Sequence, residues 1–168
     1  SVMEDFSKRH VCCFTGHRPE KLNIAEREIR RRLEAAIDEA LNDGYTVFIS
    51  GMSRGVDLWA AEIVLNKRSV DEKIKLICDS PYRGFEKPWS IPEQYRYNKI
   101  IQSADRVIYL SEHYYKGCFQ IRNCHMVNNS SRVIAAYTGE NGGTKNTVEY
   151  AKKRQIEIVN ILLPEEIC

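Results

Sequence analysis

The chain reads as an α/β protein built on a mainly parallel sheet of five to seven strands with helices on both faces. Three observations predict it. Short apolar runs of strand length alternate with segments whose apolar residues recur every three to four positions. The connections between them are short, which favours parallel strands joined by crossover helices. Five of the apolar runs end in clusters of turn, hydroxyl and charged residues, and two of those clusters are glycine-rich. With 168 residues, 43% of them hydrophobic and 29% charged, the chain suits one well-packed core better than two, so residues 1–168 are expected to form a single domain.

The elements follow in order. Val11–Phe14 is the first strand, closed by Thr15-Gly16-His17-Arg18-Pro19. A helix is expected over Ile24–Asn42, where Ile29, Leu33, Ile37 and Leu41 fall on one face, and Gly44 stops it. Tyr45–Ile49 is the second strand; Val56, Trp59, Ala60, Ile63 and Val64 make the buried stripe of a second helix; Lys73–Cys78 is the third strand. Asp79 to Pro92 is a long irregular connection with three aromatic residues, of a kind that serves a ligand or a partner. Pro92–Ser103 is a helix with proline at its start, Asp105–Leu110 a strand, Phe119–Asn128 a helix and Arg132–Tyr137 a strand. Thr144–Arg154 is a helix that Thr144 can cap, and Ile156–Leu162 the last strand.

Composition narrows the function. A net charge of +2 is small for a nucleic-acid binder, so any basic patch must be local. No apolar stretch reaches the roughly 20 residues that span a bilayer, and Ser1–Arg9 is too polar for a signal peptide; the expectation is a cytoplasmic protein that does not engage membranes. Six cysteines are then expected as free thiols, with Cys12, Cys13 and Cys78 inside apolar strands. Cys118, Cys124 and His125 fit no standard zinc spacing, so no metal is expected.

In a parallel sheet, ligands bind beyond the carboxyl ends of the strands where strand order reverses. His17, Arg18, Ser53, Arg54, Asp79, Ser80, Thr144 and Thr147 all follow or end strands and are expected to face one pocket. Gly51-Met52-Ser53-Arg54-Gly55-Val56-Asp57 and Gly142-Gly143-Thr144-Lys145-Asn146-Thr147 each leave a strand and open a helix. Such loops aim backbone N–H groups and the positive end of a helix dipole at one point, which suits a phosphate. Gly16, Gly51, Gly55, Gly142 and Gly143 would let the ligand approach the backbone, and Ser53, Arg54, Ser80 and Tyr82 would contact it. The bland alternative is a tight turn with an exposed arginine. Neither loop matches GxGxxG or GxxxxGK(S/T), so a standard dinucleotide or triphosphate site is not expected. His17 can donate to a phosphate or pin its turn. Tyr82, Phe85 and Trp89 can stack on a base or pack the long loop onto the domain. Asp57 reads as a carboxylate bonding to backbone or to a ligand hydroxyl, because no partner acid is evident.

Residues 51–57 resemble the SG-x-ARG-(I/V)-D signature of the DNA-processing protein A family, and Arg122-Asn123 with Gly143–Thr147 is similar to that family's RN and G-(S/T)-x-x-T elements. Thr15–Pro19 and the Pro81–Trp89 loop look more like YpsA-type proteins. All belong to the SLOG superfamily, which includes the LOG phosphoribohydrolases. The resemblance covers nearly the whole chain. It implies a three-layer Rossmann-like fold and a nucleotide or nucleotide-derived ligand, and the DNA-processing likeness implies single-stranded nucleic acid. The LOG enzymes use a PGG-x-GT-x-x-E loop and an upstream arginine to cleave the N-glycosidic bond of a nucleoside monophosphate. Gly142, Gly143 and Glu149 fall in register with that loop, and Glu149 and Arg122 would be the catalytic pair of such an enzyme. Lys145-Asn146 stands where the glycine-threonine pair belongs, and Glu149 also reads as a solvated first-turn glutamate. The expectation is therefore a ligand-binding sensor or adaptor with no cofactor, compatible with a homo-oligomer, and a LOG-like hydrolase is the alternative.

Overall fold

The computed structural model describes residues 7–168; residues 1–6, part of the polar start behind the no-leader expectation, lie outside it. Six strands form one sheet: β1 (Val11–Gly16), β2 (Val47–Ser50), β3 (Lys75–Ser80), β4 (Arg106–Tyr109), β5 (Arg132–Ala136) and β6 (Glu157–Asn160). Their order is β4-β3-β2-β1-β5-β6 and every neighbouring pair is parallel. Connections leave β1 toward β2 and β5 toward β6, so strand order reverses between β1 and β5. The architecture is three-layered and Rossmann-like.

Helices α1 (Glu26–Asn42), α2 (Val56–Arg68) and α3 (Ile91–Ser103) cover one face; α4 (Cys118–Asn128) and α5 (Gly143–Lys153) cover the other. The pleat of β1 sends Cys12 and Phe14 into the first apolar layer and Val11 and Cys13 into the second. α1 buries Ile29, Leu33, Ala36, Ile37 and Ala40 along one stripe, and Gly44, at φ +96°, turns the chain back toward the sheet. α2 is buried on more than a stripe, Leu58 and Ala61 included, because it lies between α1 and α3 and against β1, β2 and β3.

Most boundaries shift by one or two residues from expectation, and two of the differences have a clear physical reason. β1 runs on to Gly16 because Thr15 and Gly16 still have partners in Ala135 and Ala136 of β5. Thr144 does not cap α5: the N-cap is Gly142, at φ +138°, where a threonine would be strained, and Thr144 is the second residue inside the helix. Ser90, in contrast, does cap α3, accepting the Glu93 N–H at 3.4 Å. Among the described residues no helix is long and apolar enough to cross a membrane.

All six cysteines are free, with Cys12, Cys13, Cys78 and Cys118 buried, Cys124 half-buried and Cys168 exposed. Burial pushes the Cys13 thiol up to about 12 and raises Cys12 and Cys78 as well. A thiol reagent should therefore label Cys168 quickly and Cys124 more slowly in the folded protein, and all six after unfolding. Four or fewer thiols in unfolded, unreduced protein would contradict this.

Candidate functional site

The carboxyl ends of β1, β2 and β5 open onto a cavity of about 420 Å³ at the reversal of strand order. Its lining comes from five places: Thr15–Arg18 and Lys21 at the end of β1 and just beyond it; Ser53, Arg54 and Asp57 around the start of α2; Phe85 and Trp89 of the long loop; Phe119, Arg122, Asn123 and Met126 of α4; and Asn141–Thr144 at the start of α5. Of the expected ligand contacts it brings together Gly16, His17, Arg18, Ser53, Arg54, Asp57, Gly142, Gly143 and Thr144, with Arg122 among them.

Gly16 and Gly55 shape the cavity by close packing. A Cβ on Gly16 would lie 2.6 Å from the Val56 side chain, and one on Gly55, at φ +89°, would lie 2.8 Å from the Pro19 ring. The first glycine loop is braced internally. Ser50 Oγ donates to the Asp57 carbonyl at 2.8 Å and accepts the Met52 N–H at 3.2 Å, while Asp57 Oδ2 accepts the Ser53 N–H at 3.2 Å. Two amides expected to face an anion are thus taken by the loop's own side chains.

Arg122 is the strut of this loop. Though only 5% exposed, it donates through Nη1 to the Gly51 carbonyl, through Nη2 to Ser53 Oγ at 3.4 Å, and through Nε to Asn123 Oδ1 at 2.8 Å. Burial works against its charge, and Asp57 and Asp79 offset that. Burial pushes the Asp57 carboxyl up to about 6 against the pull of Arg122 and the Ser53 N–H. Its Oδ1 is buried without a partner.

His17 both pins its turn and lines the cavity. Nε2 pairs with Thr138 Oγ1 at 3.0 Å, the ring lies 5.7 Å from that of Tyr137, and burial lowers its pKa by disfavouring the charged imidazolium. Arg18 is exposed at the rim, and Arg54 is bound to Glu20 at 3.1 Å. That pair is solvent-exposed and easily exchanged for a ligand anion.

Other expected contacts lie elsewhere. Ser80 is committed to the Tyr97 hydroxyl at 2.7 Å on the α3 face, and Asp79, on the opposite face, to His125 Nδ1 at 2.5 Å; β3 is two strands from β1, so its end does not reach the cavity. Asp79 raises the pKa of His125, while burial raises that of Asp79. Thr147 Oγ1 donates back to the Gly143 carbonyl at 2.9 Å within α5. Gly51 and Gly55 lie behind the lining, and Glu149 is exposed on α5 outside it. Tyr82 stands in a second layer, its ring 5.5 Å from Phe85 and 6.3 Å from Phe119, so the aromatic loop both packs onto the fold and walls the cavity. Lys21, Phe119, Met126 and Asn141 are lining residues that the sequence reading missed. Their signal was partly present: residues 119, 122, 123 and 126 share one helical face. Among the described residues no group of three His, Cys, Asp or Glu side chains is placed to hold a metal ion.

Comparison with known proteins agrees with this architecture. UPF0398 protein BH1768 of Halalkalibacterium halodurans is 28% identical over 154 residues, which cover 86% of this chain and 82% of that protein. DNA processing protein A from Streptococcus pneumoniae superposes with a TM-score of 0.63 at 18% identity; the match takes in 90% of this chain but half of the pneumococcal chain. DNA processing protein A from Helicobacter pylori, whose structure concerns single-stranded DNA binding, gives 0.59 at 21% identity over 88% of this chain and 63% of that one. These two likenesses are of fold. Residues 12–162 match the YspA SLOG family, nearly the whole length of the sheet and its helices, and the chain belongs to that family.

Proposed function

We propose that the cavity binds a nucleotide or nucleotide-derived small molecule and that the protein is a sensor or adaptor rather than an enzyme. The observation that carries this is the lining's composition: four cations (Arg18, Lys21, Arg54, Arg122) stand against one carboxylate (Asp57), facing an aromatic wall of Phe85, Trp89 and Phe119. Arg18, Lys21 and Arg54 suit an anionic group, the starts of α2 and α5 add their dipoles, and the aromatic wall suits a planar base.

Nucleotides screened by thermal shift should include at least one that stabilises the protein, because a ligand of the folded state raises its apparent stability. Arg54→Ala should then weaken that ligand by about 1.5–3 kcal/mol, roughly 10- to 150-fold; unchanged affinity in calorimetry would return Arg54 to the solvated rim. The same nucleoside monophosphates should release little or no free base, since Glu149 stands outside the lining and cleavage of the N-glycosidic bond needs an acid or base at the reacting atoms. Multiple-turnover release that vanishes in Glu149→Gln would promote the phosphoribohydrolase reading.

Single-stranded nucleic acid is the second reading. Tyr114, 61% exposed, packs its ring 6.2 Å from that of Phe119 at the cavity wall, and exposed aromatics beside cations suit stacked bases. The H. pylori neighbour supports it by its described binding mode.

A further inference from the structure

Asp57 has a property that a plain anion site does not require. It is the single carboxylate in the cavity lining among the described residues, and it is 6% exposed. One oxygen, Oδ2, accepts the Ser53 N–H; the other, Oδ1, is buried with no hydrogen-bond partner. The adjacent guanidinium does not complete it, because the hydrogen bonds of Arg122 go to Gly51 O, Ser53 Oγ and Asn123 Oδ1. Leaving such an oxygen unpaired is unfavourable, and a carboxylate within an anion site repels the ligand's own charge. Both penalties are offset when the occupant brings a hydrogen-bond donor to Asp57. An ammonium donor would be opposed by Arg18, Lys21, Arg54 and Arg122. An uncharged hydroxyl meets no such opposition, and a sugar phosphate carries a hydroxyl within a few bonds of its anion.

Resting on the nucleotide reading above, we infer that Asp57 recognises a sugar hydroxyl, so that the ligand is a ribose-bearing phosphate ester rather than an inorganic anion or a DNA strand. The chemistry is that of an acidic side chain accepting from a ribose hydroxyl in other nucleotide folds. A site built to bond a hydroxyl discriminates strongly against an analogue that lacks it, because its own polar group is then left unpaired.

The test is calorimetry on the full chain with AMP, GMP, CMP and UMP beside their 2′,3′-dideoxy counterparts. The tightest ribonucleotide should bind at least tenfold better than its dideoxy form, and Asp57→Asn, close in shape, should reduce that preference to threefold or less. Ribonucleotide and dideoxynucleotide binding within twofold of each other would overturn hydroxyl recognition and leave the nucleotide reading standing. Failure of all eight to bind would overturn the nucleotide reading itself. A full preference that survives both in Asp57→Asn and in Asp57→Ala, which keeps no accepting oxygen, would assign the hydroxyl to another group. Should one of the two variants not fold, the other decides.

Discussion

Replacing Arg122 by alanine should cost the fold about 3–5 kcal/mol, the range for removing one partner from a buried charged cluster. Three hydrogen bonds are lost, two of them to the loop that carries Gly51 and Ser53, and Asp57 loses the positive charge that favours its ionised form. The loss should depend on pH in a definite sense. Burial holds Asp57 at about 6 in the folded protein, above the ordinary aspartate value near 3.9. Between about pH 4 and 6 the folded state thus keeps a proton that the unfolded state has released, and this group's contribution to stability falls as pH rises through that window, then levels. Without Arg122 the Asp57 pKa rises further and the decline continues above pH 6. Denaturant unfolding should therefore find Arg122→Ala more destabilised at pH 8 than at pH 5. A loss under about 1 kcal/mol at both pH values would show that the cluster does not support the loop.

Gly55→Ala should cost about 2–4 kcal/mol, combining a backbone conformation that only glycine adopts easily with overpacking. Gly55 sits at φ +89° and ψ −125°. Its new methyl would stand 2.8 Å from Cγ and Cδ of Pro19, a ring with little freedom to move. Gly44→Ala is the natural comparison, since Gly44 has a similar φ of +96° but nothing within 4 Å of its Cβ direction; it should cost about 1–2 kcal/mol. Equal losses at the two positions, measured by denaturant midpoints, would remove Pro19 from the explanation. Because Pro19 follows Arg18, Gly55→Ala should also weaken any ligand that spans the two loops.

The alternation of apolar periods made the sheet and its helices legible, and glycine placement marked both loops of the cavity. What was not legible depends on where strands end in space. Asp79 and Ser80 look like cavity residues because they end a strand, yet β3 stands two places from β1 and their side chains are used inside the fold. Of the α4 wall the sequence marked Arg122 and Asn123 but not Phe119 and Met126, for the converse reason. Its residues follow β4 at the sheet's edge, and only the crossing of the chain back to β5 places Phe119, Arg122 and Met126 over the first glycine loop. Thr144 was misread locally: a threonine before a helix suits a cap, but the sharp turn at φ +138° falls to Gly142.

That return crossing has a consequence for how the site comes into being. Arg122 and Gly51 are 71 positions apart in sequence, and they meet because α4, which follows β4 at one edge of the sheet, packs back over the face it shares with α5. The cavity is thus a non-local feature whose formation reports that both halves of the molecule have joined. A stretch of chain ending at β4 can hold a glycine loop without its strut, and a stretch beginning at α4 can hold the strut without its loop. A complete pocket therefore requires both parts of the chain.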